Sequence, residues 1–512
     1  MRNIKFKVDR ISLLGFLFFI GIIRILIIGR GAASTPDESR YWHGFKGSYE
    51  IAQGNFNEGI SDFFELNGRP FLPLLHLPQY IIQAVIQWIF DLDPRSVQSL
   101  YVVQFWNVLL SLVLLYFFYK VLKQWVGVGH IDALLFTGLF ASFLDANLFL
   151  RHLVPYDCVL LFWFILFNFL RNLNSRIVGI GITGITLMYP GNWPISIMAF
   201  LLSINYFIVQ NNCVSRVRCL LELVMGLSLP VVLISFVCYL LGIPFAEDIS
   251  QAANNYLYEL SLPFVGILES VVRYYFIQDG YIGILVLSSG ILGIVIVLFK
   301  CFKSESHDDL SVVAISILLA LFVYIIVGNW SNQKMLYGRM IKMFSPFFVV
   351  FSCLVYFKYA QTRMKIWLQY SIGVLILIKL VNQVFELNQI YYPRDLLHEY
   401  SASEKSIGFV YNLLEENCLN RTNEFNATYC FTVPPNSNPV YSNQHLLFVN
   451  FAIPDHINPH WESLPTFLDH KLIFAGMHYY AYPPYTLDWI PKVQMDEEQK
   501  LLQLKIYEQK AN

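Results

Sequence analysis

Charge is scarce in this chain. Only 14% of its 512 residues are Asp, Glu, Lys or Arg and 56% are hydrophobic, whereas a water-soluble domain carries about 25% charged residues. With a positive mean hydropathy as well, most of its surface is expected to meet lipid. The net charge is −1, so there is no basic excess to hold a nucleic-acid backbone, and nucleic acid is excluded as a partner. The eight cysteines are scattered. None shows the C-x-x-C spacing of a zinc or dithiol site, and Cys158, Cys238 and Cys353 lie in apolar runs, where a thiol behaves as a small hydrophobe. The first apolar run, Ile11 to Gly29, lacks a small-residue cleavage site and is followed by runs of similar length. It is expected to be a retained span, not a signal peptide. No internal repeat is evident.

What the chain does have is long apolar runs. A helix needs about 20 mostly apolar residues to cross a hydrocarbon core, and about eleven segments qualify by that rule. They are Ile11 to Gly29, Leu100 to Tyr119, Ile131 to Phe149, Pro155 to Leu170, Ile177 to Tyr189, Pro194 to Val209, Leu220 to Leu241, Tyr281 to Phe299, Leu310 to Gly328, Ile341 to Phe357 and Ile366 to Phe385. Arg2, Lys5, Lys7 and Arg10 place the N-terminus in the cytoplasm. Alternate short loops then carry Lys120 and Lys123, Arg171 and Arg176, Arg216 and Arg218, Lys300 and Lys303, and Lys358, Arg363 and Lys365 on the same side, as cytoplasmic loops do. Counting Phe71 to Phe90 as a span would invert every later loop, and Pro73 and Pro78 interrupt it. It is expected to be an interfacial or re-entrant helix at the outer face.

The outer face then gathers the loops 30–99 and 242–280 and everything after Glu386. The fold class expected is an all-α polytopic membrane protein, N-terminus in, occupying residues 1–385, with a C-terminal extracytoplasmic α+β domain over 386–512. In that domain Glu404 to Glu415 reads as a helix, and Leu446 to Phe451 and Leu472 to Tyr482 read as strands. Cys418 and Cys430 share this compartment, where a disulfide could form.

Candidate chemistry concentrates on the same face. Pro36-Asp37-Glu38-Ser39-Arg40-Tyr41 follows the first span closely, and two readings stand: a capped helix start with acids in its first turn, or a carboxylate pair doing chemistry at the membrane edge. Asp145, Arg151, His152, Tyr156 and Asp157 fall at the outer ends of the third and fourth spans. Charges at that level face a cavity or pair with each other, so an Arg151–Asp157 structural ion pair is the plainer alternative. Lys334, Tyr337, Gly338, Arg339 and Lys342 open the tenth span, where cations either snorkel or meet a lipid phosphate. Arg273, beside Tyr274 and Tyr275, is a further cation of this kind.

These motifs, with Gly68-Arg69-Pro70 and Pro346, resemble the GT-C membrane glycosyltransferases. Within that superfamily the chain is similar to the branch containing bacterial aminoarabinose lipid A transferases and relatives of the protein O-mannosyltransferases. The resemblance covers about Met1 to Phe385. It implies transfer of a hexosyl or pentosyl group from a polyprenyl-phosphate donor to a lipid, glycan or protein acceptor at the outer face, in a bacterial plasma membrane. Carried over, Asp37 and Glu38 are catalytic candidates, and Arg69, Arg151 and Arg339 bind the donor phosphate; from the outer clusters themselves, Asp157 joins the catalytic candidates and Lys334 and Arg273 the phosphate-binding ones. A divalent cation, if one takes part, falls to Asp37 and Glu38. The chain departs from the pattern in two places: Arg69-Pro70 stands where relatives often have Lys-Pro, and Tyr189-Pro190-Gly191-Asn192-Trp193 replaces a lysine often seen after the fifth span. The Trp-Trp-Asp signature of oligosaccharyltransferases is absent. A transporter or lipid-binding membrane protein is the competing class, distinguished by ionisable residues near the bilayer midplane and by inverted repeats.

Overall fold

The computed structural model describes residues 2–28, 47–64, 81–82, 84–91, 97–151, 156–188, 192–209, 213–240, 242, 264–303, 309–331, 338–359 and 362–389. Beyond these it describes five strand segments, 407–409, 429–430, 446–451, 470–479 and 501–509. Each of the eleven apolar segments holds helix. The principal helices among the described residues are α1 (Arg2–Ile27), α2 (Phe56–Phe64), α3 (Val97–Val121), α4 (His130–Ala141), α5 (Leu144–Leu148), α6 (Tyr156–Phe169), α7 (Ser175–Met188), α8 (Trp193–Ile204), α9 (Cys213–Leu240), α10 (Phe264–Lys303), α11 (Asp309–Ser331), α12 (Gly338–Tyr359) and α13 (Thr362–Gln389).

Among the described residues, five stretches are long and apolar enough to cross a membrane: Asp9–Ile27, Tyr101–Val126, Arg216–Leu240, Asp279–Lys303 and Met364–Phe385. The bent pair α4–α5 makes six if it is one span, and five further apolar helices are shorter. Leu220, Leu221, Val224, Val232, Leu233 and Phe236 on α9 are exposed, as are Ile366, Trp367, Tyr370, Val374 and Ile378 on α13. Bare apolar surface on this scale suits contact with lipid and not with water. Residues 84–90 of the expected interfacial helix are helical with Val85, Trp88, Ile89 and Phe90 exposed. The part of that helix from 71 to 80 lies outside the described residues.

Lipid gives no hydrophobic drive between helices, so close packing has to supply it. Glycine does this at two crossings. A Cβ on Gly226 of α9 would fall 3.0 Å from Gly179 Cα of α7, and Gly290 and Gly293 of α10 sit directly against the backbone of Phe348 and Phe351 in α12. The aromatic core includes Phe164 of α6 stacked on Phe347 of α12 at 5.7 Å.

Helix ends meet in a consistent pattern. At one end, the near end, Arg171 after α6 pairs with Asp309 at the start of α11 at 2.6 Å. Lys365 opening α13 pairs there with Asp132 of α4 at 2.8 Å, and the hydroxyls of Ser12 and Tyr119 hydrogen-bond the two ring nitrogens of His130. The far end is the one at which α1 finishes.

The third apolar run is expected to be one span from Ile131 to Phe149, but the chain breaks at Ser142 and Phe143 and α5 leaves at 78°. The loop 242–280 is helical from Phe264 onward, and α10 changes direction at Gly280 (φ 58, ψ −142), a conformation that only glycine adopts without strain.

Beyond residue 389 the described residues form a five-stranded mixed sheet, β1 (Ile407–Phe409), β2 (Tyr429–Cys430), β3 (Leu446–Phe451), β4 (His470–Tyr479) and β5 (Leu501–Gln509), in the order β2-β1-β3-β5-β4. The helix expected over Glu404 to Glu415 is corrected at Ile407–Phe409, which pairs parallel with both β2 and β3. Ile-Gly-Phe-Val favours an extended backbone, and glycine and β-branched residues weaken helix. The expected strand Leu446 to Phe451 coincides with β3, and the expected start at Leu472 falls inside β4. The pairing of Cys418 with Cys430 lies outside the described residues.

Candidate functional site

The break between α4 and α5 frees backbone groups that an unbroken helix would satisfy, and each unpaired one in lipid costs several kcal/mol. Side chains from distant parts of the chain take them up. Asn147 Nδ2 donates to the carbonyls of Ala141 and Phe143, at 2.9 and 3.2 Å. Gln383 Nε2 of α13 donates to Ser142 O at 2.7 Å. The amide of Leu144 donates to Asp279 Oδ1 at 3.0 Å, which also accepts from Lys379 Nζ. Lys379 Nζ lies 5.2 Å from the ring centroid of Phe143, the residue at the break, where a cation over an aromatic face is attractive.

The network continues outward. Arg24, in the last turn of α1, donates from Nε to Asn147 Oδ1 at 3.2 Å, while Asn147 Nδ2 also reaches Gln383 Oε1 at 2.6 Å. Tyr274 donates to Asp145 Oδ2 at 2.7 Å. Burial, then the Asp145 charge, pushes the Tyr274 phenol well above its ordinary range, so it stays a donor. Tyr275 hydrogen-bonds Ser345 at 2.9 Å. Beyond α5, Arg151 is buried and donates from Nε to Ile27 O at 2.7 Å and from Nη1 to Leu387 O at 2.6 Å. Gln104 Nε2 of α3 in turn donates to Arg151 O at 3.0 Å. α1, α3, α5, α10 and α13 are therefore joined at one level by a buried polar layer.

That layer lies toward the far end and not at mid-bundle. Arg24 sits in the last turn of Asp9–Ile27, Asp279 begins Asp279–Lys303, and Lys379 is about 9 Å of helix rise from Phe385.

Compared with protein-family models and with characterised proteins, the sequence matches none. Its chemistry is therefore argued from its own residues.

Among the expected site residues, Arg151 is the one whose side chain is described, and it anchors the ends of α1 and α13. Asp157 lies in the first turn of α6, Arg273 in α10 and Arg339 in the first turn of α12; their side chains lie outside those described. Asp37, Glu38, Arg69 and Lys334 lie wholly outside the described residues. Asp145, placed in the same outer cluster, is brought onto Tyr274. Sequence reading passed over Arg24, Asp279, Lys379 and Gln383, although a lone ionisable residue inside an apolar run, such as Lys379 in Ile366 to Phe385, is itself a functional signal. Among the described residues no group of three or more His, Cys, Asp or Glu is arranged to hold a metal. Asp37 and Glu38, the carboxylates assigned to a divalent cation, are not among them.

Proposed function

We propose that the protein is a membrane glycosyltransferase of the GT-C kind. It moves a hexosyl or pentosyl group from a polyprenyl-phosphate donor to a lipid, glycan or protein acceptor at the far end of the bundle. The proposal includes eleven spans, a cytoplasmic N-terminus, an extracytoplasmic α+β domain over 386–512 and a bacterial plasma membrane. The observation that carries it is the far-end polar layer. The last turn of α1 is built into that layer through Arg24 and the Ile27 carbonyl. Asp37 lies nine positions after Ile28, which keeps it within about 30 Å of the end of α1 even if the chain is fully extended.

In this reading the acceptor hydroxyl attacks the anomeric carbon. The carbon–oxygen bond to phosphate breaks as the bond to the acceptor forms. The hydroxyl proton passes to the Asp37 carboxylate, and the polyprenyl phosphate leaves as an anion stabilised by Arg69, Arg339, Lys334 and Arg273. Arginine suits this because its planar fork donates in pairs to phosphate oxygens. Two adjacent carboxylates are hard oxygen ligands that fit a divalent cation, which when bound would supply further charge stabilisation.

The two broken helices also favour a second reading, a transporter, because transporters bind substrate at such breaks. Their sites lie near the midplane, however, and this layer lies toward one end, which favours chemistry at the membrane surface. Mass spectrometry of lipid copurified with the protein, followed by transfer assays with polyprenyl-phosphate sugars, tests the choice. Bound polyprenyl phosphate with sugar transfer supports the enzyme; ion- or solute-driven uptake into proteoliposomes without transfer overturns it.

A further inference from the structure

We propose that Asp279 and Lys379 are positioning residues that clamp the two helix breaks into one unit and, through it, fix the end of α1 that leads to Asp37. The inference rests on reading Asp37 as the base of the transfer, and it adds two residues that touch neither substrate nor base. Asp279 immediately precedes Gly280, the point where α10 changes direction. The same carboxylate oxygen accepts from the Leu144 amide, the first of α5, and from Lys379 of α13. The pair thus sits where the breaks in α4–α5 and α10 meet, and the cation also covers the ring of Phe143 between α4 and α5.

A rigid path runs on from there. The Leu144–Leu148 helix passes into the turn Phe149–Arg151, and Arg151 grips the carbonyls of Ile27 and Leu387. Asn147, on the same segment, holds Arg24 of α1. Any rotation of residues 144–151 is therefore passed to the last turn of α1. Burying a carboxylate and an ammonium is costly, and replacing both by neutral groups is often neutral for stability. Retaining a charged pair at this junction points to geometry and not to stability as its contribution.

The test compares wild type with the double variant Asp279→Asn plus Lys379→Met, each in lipid nanodiscs. Either substitution alone leaves the other charge buried and uncompensated and can fail to fold; the double variant removes both charges and avoids this. Hydrogen exchange is followed on peptides covering 142–151 and 24–28, alongside kcat and KM for sugar transfer. The expected result is exchange about tenfold faster on both peptides in the double variant. Turnover should fall about tenfold at nearly unchanged KM, the mark of a misplaced catalytic group. Unchanged exchange on either peptide overturns the clamp, and faster exchange with wild-type turnover overturns its positioning role. If the wild type transfers no sugar, the enzymatic reading fails by itself. Faster exchange on both peptides then still supports the clamp, and unchanged exchange still overturns it.

Discussion

Arg151 donates to Ile27 O at 2.7 Å and to Leu387 O at 2.6 Å, so one buried guanidinium closes the ends of α1 and α13. Both carbonyls lie in or just beyond the last turn of a helix, where no intrahelical partner remains. Arg151→Ala strands them and should destabilise the protein by roughly 3 kcal/mol, because each lost bond to a charged donor contributes about 1.5 to 3 kcal/mol. Arg151→Lys keeps the charge without the fork and should fall between. Thermal unfolding in detergent checks both, and an unshifted midpoint for Arg151→Ala would remove the anchor.

The crossing of α7 and α9 gives a paired test of packing. A Cβ on Gly226 meets the carbonyl of Arg176 and the Cα of Gly179, whereas a Cβ on Gly184, also in α7, meets nothing within 4 Å. Gly226→Ala should force the helices apart and lower stability by several kcal/mol, as overpacking against backbone does (about 1–3 kcal/mol or more). Gly184→Ala should be neutral or stabilising by up to about 1 kcal/mol, from helix propensity alone. Equal effects of the two substitutions would contradict the close crossing.

The long apolar helices were legible because each holds an apolar run bounded by charges or glycines, and that pattern is local; α2 and the start of α10 at Phe264 lie in segments read as loops. The polar layer was not. Its members come from residues 24, 142–151, 274–279 and 379–383, and no spacing in the chain relates them. The break at Ser142 and Phe143 was hidden too, since Ser-Phe within an apolar run carries no proline or glycine to mark it. Gly280 did carry a mark, and the span after it was placed from Tyr281. In the sheet, Leu446–Phe451 was readable as a β-rich run, but Ile407–Phe409 is fixed by parallel partners at Tyr429–Cys430 and Leu446–Phe448, which no local pattern reveals. Of the candidate site, the acidic motif at Asp37 and the cations at Arg151 and Arg339 stood out because charge beside an apolar run is rare.

The basic loops predict the sidedness. With the near end cytoplasmic, a single cysteine placed at Lys123 should resist an impermeant thiol reagent in intact cells, and one placed at Glu386 should react. The reverse labelling pattern would invert the topology and move the proposed site to the cytoplasm.

Arg339 and Lys342 share the first turns of α12 and differ in chemistry. Arg339→Ala should weaken binding of undecaprenyl phosphate about tenfold more than Lys342→Ala, because a paired contact to phosphate exceeds a snorkelling ammonium. Native mass spectrometry of lipid titrations reads both affinities. Equal affinity of Arg339→Ala and wild type would remove Arg339 from the donor site.

Asp37 carries the sharpest expectation. The end of α1 is held from two directions, by Arg24 on Asn147 and by Arg151 on Ile27, and Pro36-Asp37-Glu38 follows it closely in sequence. A carboxylate there can take the acceptor proton or hold a cation, and an amide of the same shape can do neither well. Asp37→Asn should therefore lower turnover about 10²-fold or more, the scale of a lost general base, with donor binding and thermal stability preserved. Glu38→Gln decides between the neighbours: a larger loss there assigns the base to Glu38. Steady-state transfer with a defined polyprenyl-phosphate sugar gives the rates. If both amide variants turned over like the wild type, the acids would be no more than the first turn of a surface helix, and the glycosyl-transfer reading would lose its base.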